Sequence, residues 1–279
     1  MGSDGRCVQL RTRSNNQLLT SPRESRRLKG PLSQGDTTCW VVNAGLIAYG
    51  PACELQRQLV EARKARAIPD VLLLCEHPHV ITLGRNSGRA NLLAGTAMLE
   101  HMNTEVHSSD RGGDITYHGP GQIVGYPILD LSQHRRDIRW YVDQLEEVMI
   151  RTTGDFGIAA RRVEGQHGAW IDTPNGEQKI GALGVHLSHW VTSHGFAYNV
   201  ATDLRYFDLI VPCGIAGKSV TSLERVLGRA VPMEEARERI ASHFSTVFER
   251  RLEHVTRDHL AELLGSPGET AAGLLTSIA

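Results

Sequence analysis

The stretch VLLLCE, residues 71–76, is the most informative about the architecture. It is a continuous apolar run of strand length, which is typical of a strand covered on both of its faces. It therefore predicts a sheet with helices packed against it. A strand at residues 40–45 (WVVNAG) and a helix that begins near Pro51 fit this arrangement, because proline suits the first turn of a helix.

The later segments predict further strands and helices. Residues 110–131 contain two short β-type segments around a Gly/Pro cluster, and Pro127 indicates a sheet edge or a strand end. A helix is expected from Asp137, which would cap its N-terminus, and another from about Pro232. Residues 168–191 predict a hairpin whose turn contains the sequence Pro-Asn-Gly.

Composition limits the class of protein. The 279 residues are 41% hydrophobic, enough for one large core. Thirty basic residues against 31 acidic ones give a formal charge of -1, so nucleic acid and anionic membrane are not the expected partners. No apolar stretch approaches the roughly 20 residues that cross a bilayer. Five cysteines without CxxC spacing argue against disulfides and structural zinc, so we expect a reducing, cytoplasmic location and no metal.

The two ends differ from the middle of the chain. Residues 1–36 are basic and lack apolar periodicity, which predicts a disordered arm. Its Arg and Ser content leaves an organelle transit peptide open as an alternative. We expect one globular domain over residues 37–255, followed at 256–279 by a C-terminal helix and a frayed tail.

Four stretches concentrate glycine, histidine and reactive side chains: residues 77–89, 111–122, 179–199 and 210–223. Loops of this kind cost conformational entropy without adding core area, so they indicate a ligand that needs close approach to the backbone. In the last stretch Cys213 lies between a proline and a glycine, where its sulfur can be held out from the chain. His77 and His79 lack a third metal ligand at a convincing spacing.

Lys179 is the candidate partner of the Cys213 thiol. If the strand over residues 179–191 is regular, Lys179 shares a face with Gly181 and Leu183 and points toward apolar packing. A partly desolvated lysine can take a proton from a thiol or stabilise the thiolate. Ala182 and Gly184 would then leave room for a chain against the opposite face.

Four motifs carry a resemblance to a known family: RGGDITYHGPGQ (111–122), KIGALGV (179–185), HGFAYNV (194–200) and PCGI (212–215). In this order they resemble the lipoyl(octanoyl) transferase family, over roughly residues 38–255. The resemblance implies the biotin/lipoate protein ligase fold, an α/β (α+β) architecture with a mixed central sheet flanked by helices.

The resemblance also implies an activity. Members of this family transfer an octanoyl group from octanoyl-acyl carrier protein to a lysine of a lipoyl domain, through a cysteine thioester and without a cofactor. The implied acceptors are the lipoyl domains of 2-oxoacid dehydrogenase E2 subunits and the glycine cleavage H protein. A monomer is expected.

The same resemblance assigns roles to individual residues. Cys213 matches the acyl-accepting cysteine, and Lys179 matches the lysine that lowers the pKa of its thiol. His118 is either a structural hydrogen-bonding residue or a catalytic one that helps to stabilise the oxyanion, and Arg111 either contacts the substrate or anchors its loop by binding carbonyls. The residues implied to line the acyl site are Arg111, Gly112, Gly113, Asp114, Ile115, Thr116, Tyr117, His118, Ala182, Leu183, Gly184, Gly195, Phe196 and Ala197.

Three alternatives stay open. An ATP-dependent lipoate or biotin ligase of the same fold would activate a free acid and would need no nucleophilic thiol. A cysteine hydrolase or thioesterase would use Cys213 with His118 or His194. A non-catalytic acyl-binding protein would hold the acyl group without forming a covalent bond.

Overall fold

The computed structural model describes residues 37–174, 176–211 and 219–264. The predicted basic arm, Cys213 and the chain from residue 265 onward lie outside the described residues. The strands are β1 (Thr38–Leu46), β2 (Asp70–Glu76), β3 (Val80–Leu83), β4 (Glu105–Ser108), β5 (Ile115–His118), β6 (Gln122–Ile128), β7 (Ala160–Val163), β8 (Gln166–Thr173), β9 (Gly176–Ser188), β10 (Val191–Asn199), β11 (Ser219–Val220) and β12 (Arg251–His254). The helices are α1 (Tyr49–Lys64), α2 (Thr96–His101), α3 (Ile138–Gly154), α4 (Leu223–Leu227), α5 (Met233–Phe248) and α6 (Arg257–Leu263).

Nine of the described strands form one mixed sheet in the order β12-β1-β2-β6-β10-β9-β8-β7, with β11 paired to β9. β1 is parallel to both of its neighbours, and β11 is parallel to β9. The pairs from β2 through β7 are antiparallel. A smaller sheet has the order β4-β3-β5. The predicted mixed central sheet flanked by helices is confirmed.

β2 lies inside the large sheet, and both of its faces are covered as predicted. Leu72 and Leu74 belong to a core cluster with residues of α3 and α5. Leu73 and Cys75 belong to the cluster on the opposite face, with residues of α1 and α6. Both faces of β2 therefore exclude water, which is why its sequence does not alternate between apolar and polar residues.

The predicted helix starts are also confirmed. The Asp137 carboxylate accepts hydrogen bonds from the backbone N–H groups of Arg139 and Trp140, so it caps the first turn of α3. α5 begins directly after Pro232. Pro51 lies in the first turn of α1. The predicted hairpin is formed by β8 and β9.

Pro127 occupies a position that the sequence predicted only in part. β6 lies between β2 and β10, so the interpretation of an edge strand is wrong. The pairing of β6 with β10 covers Gln122 to Gly125 and ends before Pro127. The missing N–H group of the proline therefore breaks no hydrogen bond to β10, which agrees with the alternative of a strand end.

No helix within the described ranges is both long and apolar enough to cross a bilayer.

Candidate active site

A cavity of about 420 Å³ lies against the large sheet where β9 and β10 meet the loop before β5, and we call it the central cavity. This volume is within the range of small-molecule sites. It brings together most of the residues that the sequence singled out, from three distant parts of the chain. The predicted residues that line it are Arg111, Gly112, Gly113, Asp114, Ile115, Thr116, His118, Lys179, Ala182, Leu183, Gly184, Gly195, Phe196 and Ala197.

Tyr117 does not line the central cavity. Its side chain is fully buried, and its hydroxyl lies 2.8 Å from Nδ1 of His79. The ring stacks on Tyr206, with ring centroids 5.0 Å apart, in a small core beneath β5. Successive residues of a strand point to opposite faces, so Thr116 and His118 face the cavity while Tyr117 faces away.

Lys179 reaches the central cavity because β9 is not regular. The pairing of β8 with β9 shifts register between Ala169 and Trp170, so that Trp170 pairs with Lys179 and Ala169 with Gly181. Ala169 lies in the core, whereas Trp170 lines the cavity, and the Lys179 ammonium lies 4.6 Å from the centroid of the Trp170 ring. The prediction that Lys179 shares the face of Gly181 and Leu183 is therefore wrong: the β-bulge directs its side chain to the other face.

Small residues leave space over β9 and β10. Ala182 pairs with Ala197, and Gly184 pairs with Gly195. A methyl group on Gly184 would come 3.0 Å from the carbonyl oxygen of Gly112, because the loop before β5 crosses the strand there. A side chain at this position would push the loop away from the sheet, so the glycine allows the loop to close one side of the cavity.

Arg111 holds that loop in place. Its guanidinium donates to the hydroxyl and the carbonyl oxygen of Thr82 and to the carbonyl oxygen of Gly112. The side chain is buried, at 6% exposure. These contacts agree with the interpretation that Arg111 anchors the loop by binding carbonyls.

His194 adopts an unusual backbone conformation beside the cavity. Its φ is +54°, a left-handed value that costs a non-glycine residue about 1 kcal/mol. The backbone N–H donates to Oε1 of Gln56, and Nε2 lies 2.7 Å from the Asp110 carboxylate. Burial lowers the pKa of His194, while Asp110 opposes that shift. The hydrogen bond to Asp110 fixes the ring, and the hydrogen bond to Gln56 holds the backbone of His194.

Both ring nitrogens of His77 are hydrogen-bonded to protein groups. Nδ1 lies 2.6 Å from the Ile47 carbonyl oxygen and Nε2 lies 2.7 Å from the Tyr126 hydroxyl. Burial lowers the pKa of His77 to about 4, so the ring is neutral at physiological pH. Among the described residues there is no group of three or more side chains that could hold a metal ion.

Several residues that line the cavity were not predicted from the sequence. Gln122 and Asn199 belong to the quoted motifs but were not selected, and Trp170 lies in the predicted hairpin. Gln122 and Asn199 are nearly inaccessible and hydrogen-bonded to each other at 2.9 Å. The signal that could have found them is an amide side chain at or next to the end of two quoted motifs, because an amide that becomes buried needs hydrogen-bond partners.

The chain that carries Cys213 is joined to the site on one side. β11 follows that segment directly. Ser219 pairs with Gln178 and Val220 pairs with Lys179. Val220, seven residues after Cys213, therefore lies beside Lys179, and Ser219 and Val220 line the central cavity.

Comparisons with known proteins agree with this geometry. Residues 48–245 match the model of the lipoyl protein ligase A/B catalytic domain. The chain is 52% identical over 211 residues to an octanoyltransferase of Solibacter usitatus, covering 76% of this chain and 93% of that protein. It is 48% identical over 248 residues to an octanoyltransferase of Acidobacterium capsulatum, covering 85% and 97%.

Solved structures confirm the fold. A bipartite lipoate protein ligase of Thermoplasma acidophilum superposes with a TM-score of 0.60 at 15% identity, covering 86% of this chain and 96% of that one. A lipoate-protein ligase A bound with ATP gives a TM-score of 0.57 at 14% identity, covering 86% and 98%. Taken with the sequence matches, these likenesses mean that the chain belongs to the lipoyl protein ligase A/B catalytic-domain family and is an acyltransferase of the octanoyltransferase group.

Proposed function

We propose that this protein transfers an octanoyl group from octanoyl-acyl carrier protein to a lysine of a lipoyl domain, through a thioester on Cys213. The observation that carries the proposal is the position of Lys179, whose ammonium faces a cavity floored by small residues. A lysine of this kind beside a thiol favours the thiolate, which is the nucleophilic form.

Chain connectivity supports the pairing of Lys179 with Cys213. Val211 and Ser219 flank the segment that carries the cysteine. Val220 is in register with Lys179, and the N–H group of Thr221 donates to the Lys179 carbonyl oxygen at 2.9 Å. Six residues extend over at most about 20 Å, so Cys213 cannot lie farther than that from Ser219.

The central cavity suits an acyl chain. Its floor is made by the Ala182–Ala197 and Gly184–Gly195 pairs, and Val124 adds apolar surface. Methylene groups gain about 0.8 kcal/mol each when they leave water for such a surface. The fatty chain therefore supplies binding energy, and its carbonyl group is held at the polar end that contains Lys179.

The proposed reaction leaves Lys179 as the ammonium and Cys213 as the thiolate, the states in which both began. The Cys213 thiolate attacks the thioester carbonyl carbon, a new C–S bond forms, and the carrier thiol leaves with a proton from the Lys179 ammonium. The neutral amine of the acceptor lysine then attacks, the C–N bond forms and the C–S bond breaks. Its proton passes to the Lys179 amine, and Cys213 leaves as the thiolate.

The proposed partners follow from this reaction. The structural study of the Thermoplasma acidophilum ligase also covers its E2 lipoyl domain, which supports lipoyl domains as acceptors here. We propose E2 lipoyl domains and the glycine cleavage H protein as acceptors, and a monomeric enzyme in the cytoplasm.

A transfer assay tests the proposal. Purified protein is mixed with an apo lipoyl domain and either octanoyl-acyl carrier protein or free octanoate with ATP, and the mass of the lipoyl domain is followed. We expect octanoylation from the carrier without ATP. Modification only with free octanoate and ATP would identify a ligase, and release of octanoate without modification would identify a thioesterase.

The role of Lys179 has its own test. Replacement Lys179→Met should raise the pKa of the Cys213 thiol, because the stabilising ammonium is removed. The pKa is measured from the pH dependence of alkylation of the peptide that contains Cys213. Lys64→Met is the matched control, since Lys64 pairs with Glu61 on the surface of α1. The same thiol pKa in Lys179→Met and the control would refute the role.

A further inference from the structure

The imidazole of His118 has two nitrogens in different surroundings. The side chain lines the central cavity. Nδ1 lies 2.7 Å from Oε1 of Gln122, whereas no group in the described part of the chain is hydrogen-bonded to Nε2. Which nitrogen carries the hydrogen decides whether His118 offers the cavity a donor or an acceptor.

Two backbone carbonyl groups settle this question. Nε2 of Gln122 lies 3.2 Å from the carbonyl oxygen of Tyr117, and Nδ2 of Asn199 lies 2.9 Å from the carbonyl oxygen of Thr221. A carbonyl oxygen can only accept, so each amide must turn its NH₂ group toward it. The Asn199 oxygen then accepts the second hydrogen of the Gln122 amide, at 2.9 Å.

The remaining atom of Gln122, Oε1, therefore faces His118 as an acceptor. Nδ1 must donate to it, so the hydrogen of the neutral imidazole is on Nδ1. Burial lowers the pKa of His118 to about 3, and the neighbouring His77 and Arg111 add to the shift, against the hydrogen bond to Gln122. The ring is neutral at physiological pH, and Nε2 has a lone pair and no hydrogen.

This tautomer determines which step of the reaction His118 can serve. An oxyanion needs a donor, which Nε2 does not supply, so the tautomer argues against the oxyanion role that the sequence suggested. The nucleophile of the first half-reaction is a thiolate, which has no hydrogen to give. The nucleophile of the second is an amine, which carries N–H groups.

We propose that Nε2 of His118 accepts a hydrogen bond from the acceptor lysine amine and turns its lone pair toward the acyl carbonyl carbon. The proposal rests on the octanoyl transfer proposed above. Gln122 and Asn199 are positioning residues, because they act through the tautomer of His118. Their chain of hydrogen bonds continues from the Thr221 N–H group to the Lys179 carbonyl oxygen, and so it links both sides of the cavity.

Separate measurement of the two half-reactions tests the proposal. In His118→Phe we expect acylation of the thiol by octanoyl-acyl carrier protein at the wild-type rate. Transfer to an apo lipoyl domain should be about tenfold slower, because one hydrogen bond to the acceptor amine is lost. His254→Phe, an exposed histidine on the edge strand β12, is the control and should slow neither step. Equal slowing of both steps, slowing of acylation alone, or no slowing would overturn the proposal.

A second measurement observes the tautomer of His118 directly, without depending on the rate of the reaction. In ¹⁵N NMR spectra of histidine-labelled protein, with His118→Phe used for assignment, His118 should carry its hydrogen on Nδ1. In Gln122→Met, which removes the acceptor, the signals should change toward a tautomer mixture, with slower transfer and unchanged acylation. A hydrogen on Nε2 in the wild type would overturn the proposal even if octanoyl transfer is confirmed. A protein that is not acylated but has the expected tautomer would instead contradict the proposed function.

Discussion

Acid should destabilise this protein, because His77 is protonated more readily in the unfolded chain than in the folded one. The pKa of His77 is lowered by burial from its ordinary value of 6.5 to about 4. As pH falls below 6.5 the unfolded chain takes up the proton first, so protonation favours unfolding. The contribution is complete above pH 6.5 and is lost between pH 6.5 and pH 4.

Between pH 7 and pH 5 this group alone should remove about 2 kcal/mol of stability, since each unit between the two pKa values is worth about 1.36 kcal/mol. Urea unfolding at both pH values measures the loss. In His77→Asn the loss should be smaller than in the wild type by that amount, whatever the variant costs at pH 7.

The matched control is His189→Asn, at an exposed position whose φ of +53° asparagine tolerates. It should lose as much stability between the two pH values as the wild type. An equal loss in the wild type and His77→Asn would show that the fold does not hold His77 neutral.

Two further substitutions test the packing that supports the site. Gly168→Ala should cost about 3 kcal/mol, because φ is +126° and the new methyl group would lie 2.3 Å from a backbone carbonyl oxygen of β9. Gly165→Ala, with φ of +72° and open space, should cost only about 1 kcal/mol, and equal costs in urea unfolding would contradict the clash. Asp70→Asn should cost about 3 kcal/mol, because the buried Arg63 guanidinium loses the nearer of its two carboxylate partners, at 2.9 Å, and keeps only Asp130 at 3.9 Å. The same change at the exposed Asp172 should leave the urea midpoint nearly unchanged. Equal shifts for both variants would show that the buried ion pair contributes no more to stability than the exposed one.

Local signals in the sequence were enough for most of the fold. The apolar run of β2, the cap at Asp137 and the turn at Pro174 act within a few residues, so their structures follow from local chemistry. Pro127 was harder, because its place depends on where β10 stops pairing with β6, and the sequence does not contain that register.

The site required contacts between distant segments. The bulge that turns Lys179 into the cavity depends on the pairing of β9 with β8, and a strand read alone gives the opposite face. The motif implied that Tyr117 lines the cavity, but the alternation of side chains along β5 directs it to the other face, where it is buried. The tautomer of His118 depends on Asn199, 81 residues further along the chain, and therefore could not be derived from a motif.

The most direct test of the central claim is the mass of the protein after mixing with octanoyl-acyl carrier protein in the absence of ATP. We predict the gain of one octanoyl group, located on the peptide that contains Cys213, absent in Cys213→Ala, and lost from the wild type when an apo lipoyl domain is added. An octanoyl group that persists in Cys213→Ala, or octanoylation of the lipoyl domain by that variant at the wild-type rate, would contradict the account.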